Sequence, residues 1–291
     1  MPGIVLVLAL SHGGSALLHG AGASLSTTTT ADRPLSLPRL VYNERLHANN
    51  AFTPLFSVDV VEEAAAVFNT HLRSAFLDVR DGLQQRHSGG FYLPYATLET
   101  GAGRFFVIQP GLWDSDIAWI SVDEDANYDV FVDMFQRSGV AQQMDSVVDC
   151  IDKLQVYSAY YVVRSKGKGT NYHADFVDAI GCNAFTLMTP LADYAAADFQ
   201  LLYRDLDGAT RQHRYRRGEA LCFGSDFVHS TQPGRALEGV DGGIHVYLCF
   251  TFGTDKTEYW KDIYATQGSY ASRVVRRPDG RPVLTELGKM L

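Results

Sequence analysis

The sequence predicts a mainly β protein with helical additions, in which a jelly-roll core packs against N-terminal helices. Three observations predict it. From Lys153 onward, short runs rich in Tyr, Val, Phe and Thr ("LQVYSAYYVVRS", "NAFTLMTPL", "DFQLLYRDL", "QHRYRRGEALCFG", "FVHST", "IHVYLCFTFG") alternate with the turn-forming breaks "KGKGTN", "DLDGA" and "GVDGG". Strands spaced this closely, with no helices between them, build a sandwich or barrel and not βαβ units. Upstream lies a long stretch of helical period. The chain of 291 residues is also 46% apolar, with 16 Phe and 15 Tyr, enough to fill one wide β-rich core.

In chain order, residues 1–35 read as a targeting or disordered leader. "MPGIVLVLAL" is apolar but too short to span a bilayer, and "AGAS" at Ala21 to Ser24 offers the small residues that flank a cleavage site, although no Lys or Arg precedes the run. The Ser/Thr-rich "SLSTTTTADRPLSLP" equally suits a transit-peptide region. A cleaved signal or transit peptide is one expectation and a cytoplasmic protein the other; no other stretch is a transmembrane candidate. Residues 36–291 are expected to form a single domain, with a helical N-terminal part at 36–150, the jelly-roll core at 151–256, and a C-terminal helix and tail at 257–291.

Within the N-terminal part, Ser57 to Leu83 predicts a helix. Asp59 and Glu62 stand at capping-box spacing, and Val60, Ala64, Val67, Phe68, Leu72, Phe76 and Val79 form an apolar stripe. "YDVFVDMFQRSGVAQQMDSVVDCI" predicts a second amphipathic helix, or a pair broken at Gly139. Between them, "SGGFYLPYATLETGAGRF" lacks the lysine and the strand-to-helix context of a nucleotide loop and reads as loops or a hairpin. "GLWDSDIAWISVDEDANYD" reads as a carboxylate-rich loop whose acidic spacing does not match a calcium loop.

The net charge of −8 disfavours a nucleic-acid partner, which needs a dense basic surface. The local cluster Arg211, His213, Arg214, Arg216 and Arg217 reads first as the solvated face and turn of a β-hairpin, and second as a holder of an anionic substrate. Four cysteines without a CxxC pair give neither a zinc ribbon nor a redox motif. Cys182, Cys222 and Cys249 sit in apolar runs and read as small buried hydrophobes. His12, His19, His47, His71, His87 and His213 belong to no visible ligand set, and His71 reads as a surface position on the long helix.

The chemistry concentrates in "NYHADF". On extended backbone, positions i and i+2 point to one side, so His173 and Asp175 aim at one point. A buried His donating to a carboxylate is the plainer account of that pair alone. His229, at the end of the run "CFGSDFVHSTQPG", adds a third candidate ligand. Two imidazoles and one carboxylate form the facial set that leaves positions open on Fe(II) for oxygen chemistry.

With the Gly218 to His229 approach and the closing "HVYLCFTFG", this constellation resembles the 2-oxoglutarate- and Fe(II)-dependent dioxygenase superfamily over roughly Lys153 to Asp255. In order and texture it looks most like the prolyl-hydroxylase-like and phytanoyl-hydroxylase-like branches. The resemblance implies a double-stranded β-helix and an oxygenase domain, with Fe(II) bound by His173, Asp175 and His229. It further implies 2-oxoglutarate as a bidentate co-substrate, O2, release of succinate and CO2, and hydroxylation of a small molecule or a protein side chain. The retained Asp175 favours hydroxylation, because halogenating members lack that carboxylate.

One departure stands out. Members hold the far carboxylate of 2-oxoglutarate with an Arg or Lys on the strand after the second His, a task that suits a guanidinium fork. Here that strand offers only His245, and Arg235 precedes it in the turn "TQPGR". Arg204 and Arg164 are candidates from other strands. Tyr161, with Tyr157 and Tyr160, is a candidate phenol for the same carboxylate, although tyrosines in an alternating apolar strand are ordinary packing residues. Asn171 and Tyr172 touch co-substrate or substrate, or close a turn. Two other readings stay open: a metal-binding cupin-type enzyme that does not use 2-oxoglutarate, and a non-catalytic jelly-roll binding module.

Overall fold

The computed structural model describes residues 38–85, 95–109, 116–194, 198–238, 242–267 and 272–290. The leader at 1–35 and His87 lie outside them. The strands are β1 (Tyr42–Asn43), β2 (Ala48–Asn49), β3 (Ala51–Phe52), β4 (Tyr95–Thr100), β5 (Gly103–Ile108), β6 (Asp116–Val122), β7 (Gln155–Gly167) and β8 (Ala184–Pro190). They continue as β9 (Leu201–Arg204), β10 (Thr210–His213), β11 (Leu221–Phe223), β12 (His229–Thr231), β13 (Gly234–Arg235), β14 (His245–Gly253), β15 (Val274–Arg276) and β16 (Pro282–Leu284). The α-helices are α1 (Val58–Val67), α2 (Arg73–Gln85), α3 (Asp125–Arg137), α4 (Val140–Met144), α5 (Trp260–Gln267) and α6 (Glu286–Met290).

Two antiparallel sheets face each other. The larger has nine strands in the order β3-β11-β8-β14-β7-β6-β5-β4, with β13 on β7; the smaller runs β10-β9-β12. A one-residue bridge between His173 and His229 adds the next chain segment beside β12. The protein is thus mainly antiparallel β with helices, a jelly-roll sandwich in which β7, β14, β8 and β11 lie opposite the small sheet.

Alternation along the strands sorts the core into two layers. Val156, Ala159, Tyr161 and Val163 of β7 and Val246, Leu248, Phe250 and Phe252 of β14 point to the helical side. There they meet Val60, Ala64, Phe68, Leu72, Phe76, Phe131 and Phe135. The alternate residues Tyr160, Val162, Tyr247 and Cys249 face inward, where Met188, Leu221 and Phe223 of the large sheet meet Leu201 and Tyr203 of the small one. Each fully buried side chain of this size contributes about 1.5–3 kcal/mol.

The helix expected at 57–83 runs from Val58 to Gln85, but a π turn at Phe68–Leu72 interrupts it. That wide turn keeps Phe68 and Leu72 buried. Its cap is Ser57, whose side chain accepts the Val60 N–H, and not the Asp59/Glu62 pair. Gly139 does separate α3 from α4, at a left-handed φ of 83° that other residues adopt at a cost. His71 is exposed.

Three expectations need correction. The part at 36–150 is not only helical, because β4, β5 and β6 extend the large sheet. The stretch read as an acidic loop contains β6, where Ile117, Ala118, Ile120 and Val122 are buried; flanking aspartates masked its alternation. Beyond residue 257 the chain forms α5 and then a β15–β16 hairpin. Ion pairs fasten that hairpin: Arg273 to Asp123 (3.0 Å), a carboxylate it shares with Arg104 (3.1 Å), and Arg276 to Asp125.

The basic cluster lies on and after the β9–β10 hairpin, with Arg211 paired to Asp205 (2.8 Å) and Arg217 to Glu62. His213 is the exception, 8% exposed, and burial lowers its pKa to about 4. Above pH 6.5 the ring is neutral folded or unfolded and contributes nothing. As the pH falls towards 4, only the unfolded chain takes the proton, so stability falls by roughly 3 kcal/mol in total. Urea midpoints of metal-free protein at pH 7 and pH 5 should therefore differ more for wild type than for His213→Gln; equal differences would exclude this origin.

Among the described residues no helix is long and apolar enough to cross a membrane, which says nothing of a β-barrel.

Candidate metal centre

After β7 the chain turns through residues 168–172 and pairs for a single residue with the start of β12. The His173 N–H donates to the His229 carbonyl (2.9 Å) and the His229 N–H to the His173 carbonyl (2.8 Å). Directly opposed residues in an antiparallel pair carry their side chains together. The two imidazoles accordingly lie with ring centroids 4.7 Å apart. Asp175, two residues on, brings Oδ1 to 3.5 Å from His173 Nε2 and 3.7 Å from His229 Nε2. One ligand atom from each of the three residues lies within 4.8 Å of the others.

The neighbours set which atoms are free to coordinate. His173 Nδ1 lies 2.8 Å from the Asn171 carbonyl and His229 Nδ1 3.1 Å from the Phe227 carbonyl. A carbonyl only accepts, so both Nδ1 atoms carry a proton and both Nε2 atoms face the shared centre, as in metal-binding histidines. Thr186 of β8 donates its hydroxyl to Asp175 Oδ2 (2.5 Å), leaving Oδ1 for the centre.

Electrostatics favour the coordinating protonation states at Asp175 and His229. Burial pushes the Asp175 carboxyl up, but the His173 hydrogen bond, the nearby imidazoles and Thr186 outweigh it and hold the group well below the usual carboxylate range. Burial, reinforced by His173, lowers His229 to about 4. For His173 burial acts downward, and Asp175 prevails to raise it. The Asp175 and His229 side chains are 4% and 7% exposed, against 42% for His173. Access to the centre is therefore from the His173 side. Phe223 and Phe227 cover the His229 ring, at centroid distances of 4.4 and 5.8 Å.

The other sequence candidates scatter. Tyr161 faces the helices, and its hydroxyl donates to the Ala64 carbonyl at 3.0 Å, on the opposite side of the sheet from the triad. The expectation that it holds a co-substrate is corrected; inward-facing Tyr160 is its neighbour on the right side. Tyr157 donates to the Thr254 carbonyl. Arg235 is exposed on β13, paired with Lys166 of β7. Arg204 is exposed too, its guanidinium 4.6 Å from the centroid of the Tyr172 ring. His245 is buried and stacked on Tyr194 at 4.0 Å. Arg164, its cross-strand partner, is buried on the inward face. Asn171 closes the turn, donating its N–H to Ser230 Oγ (2.8 Å).

Sequence reasoning missed Thr186. Its only signal was a hydroxyl in the otherwise apolar "AFTLM". Outer-shell partners of this kind typically set 10–100-fold in metal affinity. Thr186→Val should therefore weaken Fe(II) binding by about that factor while the fold survives, as read by competition with a metallochromic chelator; unchanged affinity would show that the hydroxyl is dispensable.

No protein-family model matches the chain, and no curated protein does. Solved structures do. A Pseudomonas putida prolyl-4-hydroxylase is 12% identical, with 70% of this chain and 92% of that one covered, at a TM-score of 0.42. AviO1 from Streptomyces viridochromogenes is 14% identical (78% and 96% covered, TM-score 0.45). HygX from Streptomyces hygroscopicus, solved with nickel and 2-oxoglutarate bound, is 12% identical (74% and 88% covered, TM-score 0.41). At this distance the likeness carries no chemistry across, and a fold does not fix a reaction. The structural neighbours of this chain include, besides that prolyl-4-hydroxylase, an oxidoreductase of the 2OG-Fe(II) oxygenase family from Burkholderia pseudomallei and a viral collagen prolyl hydroxylase.

Proposed function

We propose that the protein is an Fe(II)- and 2-oxoglutarate-dependent dioxygenase that hydroxylates a small molecule or a protein side chain. One observation carries the reading: two imidazole Nε2 atoms and one carboxylate oxygen converge within 4.8 Å, with both Nδ1 protons committed to backbone carbonyls. That donor set suits Fe(II) and leaves half of an octahedron free.

Bound there, Fe(II) with 2-oxoglutarate and O2 supplies oxidative decarboxylation to succinate and CO2, coupled to insertion of an oxygen atom into a substrate C–H bond. The chain's own residues do the rest. Asp175 stays ionised and supplies the negative charge. His229 presents a neutral lone pair and His173 gives up its Nε2 proton to the incoming ion; the two residues are locked by two backbone hydrogen bonds, so little backbone reorganisation accompanies binding. Phe223 and Phe227 keep water from the His229 side, and the exposed His173 side is the way in for an organic substrate.

Anaerobic titration with Fe(II) and then 2-oxoglutarate tests this. The expected result is stoichiometric metal uptake followed by a visible metal-to-ligand charge-transfer band. Metal uptake without the band would favour an enzyme that does not use 2-oxoglutarate, and no uptake would favour a binding module.

A further inference from the structure

On the helical side of β14, the face opposite the triad, a cavity of about 230 Å³ opens between the long helix, the chain just after β8 and the start of β14. Its floor is apolar, and Phe68, Leu191, Ile244 and Val246 are all buried in it. Its rim is polar. Asn69 and Asp193 are exposed there and Arg73 is half-buried. A cavity of about 150 Å³ already holds a benzene-sized molecule, so this one has room for a branched aliphatic or aromatic side chain with a charged head at the surface.

The π turn builds this arrangement. Five residues apart on an α-helix, Phe68 and Arg73 would stand about 140° from each other around the axis. The wide turn closes instead with the Arg73 N–H on the Phe68 carbonyl, an i→i+5 bond that sets Arg73 above Phe68 on one face. Such turns inside α-helices are rare and recur at functional sites. The guanidinium is held at the rim, where Nη2 donates to the Gly242 carbonyl (2.9 Å). A Cβ on residue 242 would collide with that nitrogen, so only glycine lets the two lie so close. The other guanidinium N–H groups have no acceptor among the described residues. From the segment after β8, Asp193 accepts the Arg217 main-chain N–H on Oδ1 (3.1 Å) and keeps Oδ2 open. Arg73 and Asp193 thus line one cavity, and among the described residues neither is neutralised by an ion pair.

We propose that this cavity is a second binding site, for a free α-amino acid with an apolar side chain. Arg73 takes the carboxylate on its guanidinium fork, Asp193 takes the ammonium, and the side chain lies on Phe68, Ile244 and Val246. A ligand of one charge would leave the other rim group unanswered, and a wholly apolar one would leave both. The sheet separates this site from the triad, so it stands whether or not the triad binds Fe(II).

Isothermal titration of the full chain with L-leucine tests this, alongside 4-methylpentanoate, which lacks the ammonium, and 3-methylbutylamine, which lacks the carboxylate. L-Leucine should bind with a stoichiometry of one, and glycine, without the apolar body, at least about 10-fold more weakly. Each single-charge probe should bind about 10–100-fold more weakly than L-leucine. Arg73→Gln keeps a donor for Gly242 and should lose that factor for L-leucine and 4-methylpentanoate, with little change for 3-methylbutylamine. Asp193→Asn should do the converse. His173→Ala should bind L-leucine as wild type does, with or without Fe(II), because chelation at the triad plays no part. Far-UV circular dichroism checks that each variant is folded. Absence of L-leucine binding to the wild type, unchanged affinity in either charge variant, or loss of binding in His173→Ala would each overturn the site.

Discussion

Asp175→Ala should abolish stoichiometric Fe(II) uptake and, with it, any 2-oxoglutarate-dependent formation of succinate. Asp175 is the anion of the centre: its Oδ1 sits 3.5 and 3.7 Å from the two Nε2 atoms, and its charge persists because the surrounding imidazoles and the Thr186 hydroxyl stabilise the ionised form despite burial. Without it, two neutral imidazoles remain, a set that holds a hard divalent ion weakly. The loss should exceed the roughly 10–100-fold effect typical of an outer-shell partner. Equilibrium dialysis with Fe(II) under argon reads it directly. Retention of one tightly held ion per chain in this variant would remove the basis for a metal centre at residues 173, 175 and 229. His229→Ala should behave alike.

The second large effect is on stability. Phe250 is fully buried on the helical side of β14 and meets the rings of Phe135 and Phe131 at centroid distances of 5.4 and 6.5 Å. Phe250→Ala should cost about 3–5 kcal/mol, the sum of lost transfer energy and a cavity that the rigid sheet cannot close. Urea denaturation should show the midpoint fall. Because Phe250 and the triad stand on opposite faces of the sheet, Fe(II) affinity of the folded fraction should be unchanged. A cost below about 1 kcal/mol would mean the helices repack freely over β14, and selective loss of metal would mean the two faces are coupled.

Much of this was legible in the sequence because the signals are local. The i, i+2 spacing of His173 and Asp175 fixes their common direction on extended backbone. The apolar stripe from Val60 to Val79 marks the helical run, and the left-handed turn at Gly139 breaks the next one. The "DIAWISV" alternation of β6 was hidden by acidic neighbours. Tyr161 and Tyr160 are indistinguishable in sequence, yet a strand sends them to opposite faces, one to Ala64 and the helices and the other to the barrel interior. The choice between them depends on which face the helices cover.

By itself, then, the sequence determined the β-rich architecture with its helical cover and named the three side chains that converge, since periodicity and residue type are properties of short stretches. Tertiary structure alone decided that residue 173 pairs with residue 229, that Thr186 orients Asp175, and that Arg164 and not Arg235 or Arg204 turns its charge inward. Those are contacts between strands distant in the chain, and they follow from sheet register and strand facing, which only the assembled sheets define.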